Sequence, residues 1–182
     1  MKVTATPLDG VKLIEPRVFG DARGFFLETY SRERYCAAGI TEELLQDNLS
    51  RSGHGVLRGL HFQNPAPQGK LVYVLEGEVF DVAVDIRRAS PTFGQWHGVT
   101  LSSDNKKQLW LPPGFAHGFC VTSETALFAY KCSAYYTPAS EHTIRYDDPA
   151  IGIEWPVTDP LLSDKEREAK GLSEMDPAVL FA

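Results

Sequence analysis

His61, Lys70, Arg58 and Tyr130 carry the side chains from which proton chemistry next to a carbonyl can be assembled. The central stretch 56–81 holds the first three among strand-forming residues, broken by turn-prone segments at Asn64–Gly69 and Glu76–Glu78. His61 and Gln63 stand at i and i+2, so an ideal strand sends both to one face. A second strand opens at Lys70, and Phe80–Ile86 alternates with a period of two. If these strands pair within one sheet, an imidazole and an ammonium meet over it, the first to take a proton from carbon and the second to stabilise the oxyanion.

Other residues have a bland reading beside the chemical one. Lys70 at a strand start is ordinarily solvated, but Asp81 on a following strand can hold it in a cavity as an ion pair. Tyr130, in Phe128-Ala129-Tyr130, is either core or a phenolic proton donor facing a histidine. Arg58 and His61 have opposite strand parity, and a bulge at Gly59 would bring both to one cavity. Gln46 and Asn48 share a face of a strand over 44–50.

The elements that must position these groups are short. A strand over 11–19 is interrupted by Pro16, Asp21–Gly24 is a turn, and Phe25–Tyr30 is an aromatic strand. Ser31 caps a short helix that Gly39 stops. Further strands are read at 96–101, 107–111, 118–121, 125–132, 135–137 and 142–145, and only 163–170 and the last residues read helical. Some ten strands with 12 prolines and 15 glycines predict an all-β sandwich, jelly roll or barrel with short peripheral helices, formed by residues 1–182 as one domain.

Composition narrows the function classes. Apolar content of 43% and charged content of 23% are those of a globular protein. A net charge of −6 argues against nucleic-acid binding, and no stretch reaches the ~18 apolar residues of a membrane span. Three cysteines (Cys36, Cys120, Cys132) and an N-terminus without a signal-peptide pattern predict a cytoplasmic protein with reduced thiols.

His61 and His117 first suggest a metal. Pro112-Pro113-Gly114-Phe115-Ala116-His117 resembles the second metal motif of the jelly-roll family called cupins. In the first motif, His61-Phe62-Gln63 puts an amide where a second ligand histidine belongs. A cupin-like barrel without metal is favoured over a metalloenzyme, with a structural His117 as a further reading.

Together, Gly20–Glu28, Gln46-Asp47-Asn48, Leu57–Gln63, Gln68-Gly69-Lys70 and Leu111–Phe119 resemble the dTDP-4-dehydrorhamnose 3,5-epimerase (RmlC) family over nearly the whole chain. The resemblance implies a cofactor-free, cupin-like jelly-roll homodimer. Such an enzyme inverts C3 and C5 of a 4-keto-6-deoxy sugar on thymidine diphosphate, on the way to rhamnose. It implies His61 as the base, Tyr130 as the acid, and Lys70, held by Asp81, as the group that stabilises the enolate. It implies substrate contacts at Arg23, Glu28, Gln46, Asn48, Arg58, His117, Glu141 and Lys165, with Tyr136 stacking on thymine. Arg23 and Glu28 come from the partner subunit in such enzymes. Enzymes acting at C3 or C5 alone, or ketoisomerases on the same sugar, share the scaffold. A metal-dependent cupin and a non-catalytic sugar-nucleotide-binding module are the readings from other classes.

One departure is visible. The family pattern Leu-Ser-x-Lys-Asp, whose aspartate pairs with the catalytic histidine, stands here as Leu162-Ser163-Asp164-Lys165-Glu166. Glu166 is then either the carboxylate partner of His61 or the last residue of a Ser-x-x-Glu capping box.

Overall fold

The computed structural model describes residues 1–182. It contains β1 (Lys2–Ala5), β2 (Lys12–Glu15), β3 (Val18–Asp21), β4 (Gly24–Leu27), helix α1 (Arg32–Ala37) and β5 (Gln46–Gly53). Then follow β6 (Leu57–Gln63), β7 (Lys70–Glu76), β8 (Glu78–Asp85), β9 (Trp96–Ser102), β10 (Gln108–Leu111), β11 (Phe115–Val121), β12 (Thr125–Cys132), β13 (Glu141–Thr143) and helix α2 (Asp164–Arg167).

Two antiparallel sheets face each other in a cupin-like jelly roll. One runs β1-β2-β10-β7-β12-β5 and the other β13-β6-β11-β8-β9, while β3 and β4 form a separate hairpin. The period of two in the strands decides what lies between the sheets. Val72, Val74, Val79, Ala83, Phe119 and Phe128 point inward and form the main core. The alternate residues Val82, Val84, Leu60 and Phe62 pack on the outer side of the five-stranded sheet, under the C-terminal segment with Leu172 and Leu180. Leu71, Ile14 and Trp110 meet Tyr35 of α1 on the outer side of the six-stranded sheet. Each fully buried large side chain contributes about 1.5–3 kcal/mol.

This layering corrects one expectation. His61 and Lys70 do not sit over one sheet: β6 belongs to the five-stranded sheet and β7 to the six-stranded one. Their side chains approach from opposite walls. Smaller differences occur at the edges. Residues 135–137 form no strand and lead into a 3-10 turn at Pro138–Ser140. The helix expected over 163–170 is one turn, Asp164–Arg167, and the last residues hold only a 3-10 turn at Leu172–Glu174 and a turn over 177–179, with Phe181 bridged to Arg87. β1 was not anticipated: Lys2–Ala5 alternates polar and apolar residues for only four positions and stays largely exposed, and pairing with β2 makes it a strand.

Candidate active site

Inward-facing side chains leave a cavity of about 330 Å³ between the sheets. Its first wall is built by rows at i, i+2: Gln46, Asn48 and Ser50 on β5, Phe128, Tyr130 and Cys132 on β12, and Lys70 on β7. The register sets Tyr130 opposite Asn48 and Cys132 opposite both Gln46 and Lys70. The second wall carries Arg58 and His61 of β6 with His117 and Phe119 of β11, His61 and His117 being directly paired. Gln68, Tyr136, Glu141 and Lys165 complete the lining.

Arg58 and His61 reach the same cavity despite their odd spacing. The β6–β11 register shifts between His117 and Phe119, opposite these two residues, and Gly59 holds φ +136. A Cβ at Gly59 would stand 2.4 Å from Gly118 Cα, so only glycine lets the strands approach here. The irregularity expected at Gly59 is present.

His61 Nε2 lies 2.8 Å from Oε1 of the buried Glu166, in a contact that is close but not aligned as a straight hydrogen bond. Glu166 is both of the things expected of it. Its Oε2 accepts the Ser163 backbone N–H at 3.0 Å and the Ser163 hydroxyl, closing the capping box of α2, while Oε1 turns to the imidazole. Burial alone would raise the Glu166 carboxyl, but His61 and both Ser163 donors outweigh it and hold it at about 2. Burial pushes the His61 pKa down, assisted by the cations Lys165 and Lys70 and opposed by Glu166. The imidazole is thereby kept neutral and ready to accept a proton.

Burial likewise pushes Lys70 down and Tyr130 up, so the phenol holds its proton. Asp81 was expected to pair with Lys70. Instead its Oδ2 accepts Nε2–H of His117 at 2.9 Å, across adjacent strands β8 and β11. Asp81 acts on Lys70 only through longer-range attraction, behind Cys132 and Glu141.

At the mouth, Lys165 Nζ donates to Glu141 Oε1 at 2.9 Å and Tyr136 Oη–H donates to Glu141 Oε2 at 3.1 Å. Gln46 fixes the Tyr136 backbone N–H at 2.8 Å and also donates to Asn48. Half-exposed Tyr136 is thus a braced aromatic face at the entrance. Arg58 donates through Nε to Ser52 at 3.1 Å.

Two expected substrate contacts lie elsewhere. Arg23 binds Asp21 at 2.6 Å and Glu28 binds Arg34 at 2.5 Å, both at the β3–β4 hairpin and outside this cavity. Gln63 also departs from expectation: its amide is spent on Ala66 O, Tyr135 O and the Thr137 N–H, so it does not line the cavity with His61. No three His, Cys, Asp or Glu side chains are spaced to hold a metal ion.

Sequence reasoning missed Ser50, Gln68, Phe119, Phe128 and Cys132 as lining residues. Ser50 continues the alternating row of Gln46 and Asn48, and Cys132 that of Phe128 and Tyr130, so period two carries the signal for both. Gln68 lies in the loop before β7, outside any alternating row, and only the Gln68-Gly69-Lys70 motif pointed to it.

Known proteins resemble this chain over nearly its whole length. A family model described as dTDP-4-dehydrorhamnose 3,5-epimerase matches residues 5–174. The dTDP-4-dehydrorhamnose 3,5-epimerase of Shigella flexneri is 53% identical over 178 residues, covering 97% of this chain and 98% of that protein. The dTDP-4-dehydrorhamnose 3-epimerase of Streptomyces niveus is 41% identical, over 100% of this chain and 88% of that one. The crystal structure of dTDP-6-deoxy-D-glucose-3,5-epimerase RmlC from Legionella pneumophila, in complex with dTDP-4-keto-L-rhamnose, superposes with a TM-score of 0.97. It is 55% identical, covering 99% of this chain and 97% of that one. With the strand order, the cavity and these matches in agreement, the chain belongs to the dTDP-4-dehydrorhamnose 3,5-epimerase family.

Proposed function

We propose that this chain converts dTDP-4-dehydro-6-deoxy-D-glucose to dTDP-4-dehydro-L-rhamnose by inverting C3 and C5. The observation that carries the reading is the His61 imidazole and the Tyr130 phenol on opposite walls of one cavity that Lys70 also lines; burial lowers the His61 pKa and raises that of Tyr130, which suits a base and an acid. His61 takes the proton from the carbon next to the ketone, and the C–H electrons move to the C4 oxygen as an enolate. Lys70 stabilises that oxygen, a contribution of about 3–4 kcal/mol for a preorganised donor. Tyr130 returns a proton to the other face of the same carbon, which inverts it. Once His61 has released its proton to water and Tyr130 has regained one, the sequence repeats at the second carbon. Positioned acid and base each add about 10²–10⁴-fold. No electron leaves the sugar, so the reaction needs no nicotinamide, and Lys70 supplies the positive charge at the enolate oxygen that a Lewis acid would otherwise provide.

Arg58, His117, Gln46 and Asn48 suit the diphosphate and sugar hydroxyls, Tyr136 suits stacking on the thymine, and Glu141 and Lys165 brace the mouth. A homodimer would bring Arg23 and Glu28 to the partner's cavity: the hairpin that carries them exposes Phe19, Phe25 and Phe26, the last two by 63% and 68%. A cytoplasmic site of action completes the reading.

Incubation with thymidine diphospho-4-keto-6-deoxyglucose in heavy water tests it. One deuteron at each of C3 and C5, with inversion, is expected. A single deuteron would instead support mono-epimerisation, the reaction named for the Streptomyces niveus relative. No exchange at either carbon would overturn the proposal.

A further inference from the structure

We propose that Ser163 is a positioning residue for the base: the cap that starts α2 and the pair that orients His61 are one device. The inference rests on the functional reading above. α2 is a single turn, Asp164–Arg167, too short to be stable alone, so its place is set from outside. Before it, Leu161 N–H donates to Gly55 O at 2.8 Å and Leu161 O accepts Leu57 N–H at 3.0 Å, which ties the chain to the start of β6. After it, Lys170 O accepts Arg145 N–H at 2.9 Å. The turn is thus pinned beside the strand that carries His61.

Within it, the two oxygens of the Glu166 carboxylate are divided. Both Ser163 donors, backbone N–H and hydroxyl, take Oε2. That fixes the plane of the carboxylate and leaves Oε1 at 2.8 Å from His61 Nε2. Without the hydroxyl, one backbone donor remains, and the carboxylate is free to turn about its last bond. A carboxylate that only capped a helix would point both oxygens at the helix start or into water. Here one is buried against the imidazole instead. Ser163 never touches substrate in this arrangement; it acts through Glu166.

Glycine and alanine separate the two roles of Ser163. Glycine is nearly as good an N-cap as serine, whereas alanine is a poor one. If Ser163 positions the base, Ser163→Gly and Ser163→Ala both lower kcat about tenfold, a part of what a positioned base contributes, with KM within twofold. Both also move the acidic limb of the kcat/KM profile to lower pH, because the imidazolium loses a counter-charge held close to it. Ser163→Thr, which keeps the hydroxyl, restores rate and limb. The His61 imidazole titration, followed by NMR in the absence of substrate, moves down in the Gly and Ala variants. That readout needs no turnover, so it stands even if the assigned reaction fails. A Ser163→Gly enzyme with unchanged kcat and an unmoved or upward-moved His61 titration would overturn the proposal. So would variants in which the melting temperature alone falls.

Discussion

Asp81 Oδ2 accepts a hydrogen bond from His117 Nε2 at 2.9 Å, with Asp81 wholly buried and His117 at the cavity wall. An ionised carboxylate only accepts, so the Nε2 proton is fixed and the His117 ring is oriented by it. The second oxygen, Oδ1, is buried without a partner.

Asp81→Asn should therefore act through His117. The expected outcome is a rise in KM of about tenfold, near 1.4 kcal/mol, with kcat changed much less. Steady-state kinetics with the nucleotide sugar, and calorimetric binding of thymidine diphosphate, check it. A fall in kcat at constant KM would return Asp81 to Lys70 and the enolate.

The pair His61–Glu166 predicts a different signature. Glu166→Gln removes the charge but keeps the size, and should cost at least about tenfold in kcat/KM, or 1.4 kcal/mol. Glu166 raises the His61 pKa against burial, so its loss lets that pKa fall further, and the acidic limb moves to lower pH. For stability the sign is that of a depressed carboxyl. Glu166 titrates at about 2 in the fold against an ordinary 4.5, so its stabilising share is present above pH 4.5 and is lost as pH falls from there towards 2. Urea melts of both proteins across that window should converge on acidification. Parallel curves would show that Glu166 contributes nothing pH-dependent.

The acid and the base predict opposite failures. His61→Asn should abolish deuterium exchange at both carbons while thymidine diphosphate still binds. Tyr130→Phe should leave some exchange, because His61 is intact, and lose inversion, because no donor remains on the far wall. Proton NMR of the recovered sugar distinguishes these outcomes. Exchange retained in His61→Asn at either carbon would require a second base, and full inversion by Tyr130→Phe would remove the phenol from the acid role.

Which of these features the sequence makes legible follows from the reach of each signal. Alternation in Gln46–Ser50 and Phe128–Cys132 is local, so the two rows of the first wall can be read from period two alone. Partner choice is not local. Asp81 is 36 residues from His117 and much nearer in sequence to Lys70, yet the β8–β11 register, which sets Asp81 opposite Phe119 and beside His117, decides for the histidine. The same holds for His61 and Gln63. Equal parity predicts one face, but the backbone of Tyr135–Thr137 captures the Gln63 amide at the end of β6. Glu166 shows the converse: two readings that compete on paper are compatible because a carboxylate has two oxygens.

The hairpin makes the last prediction. Arg23 is bound only to its neighbour Asp21, and its side chain is 90% exposed, on a hairpin that also exposes three phenylalanines. A fully exposed pair of that kind adds little stability, so nothing in one protomer accounts for placing an arginine there. If the hairpin crosses to a second copy, each cavity is completed by the other protomer's Arg23 and Glu28. Arg23→Ala and His61→Asn would then each be inactive or nearly so as homodimers, by different routes. Mixed and allowed to exchange, they form heterodimers in which one cavity receives both lesions and the other neither. That intact cavity should restore activity, to about a quarter of the wild-type rate when equal amounts exchange statistically: half the dimers are mixed, each with one of two cavities working. Turnover of the mixture against each variant alone measures it. Activity that never rises above the average of the two variants would mean that Arg23 serves its own chain, or that the hairpin does not cross.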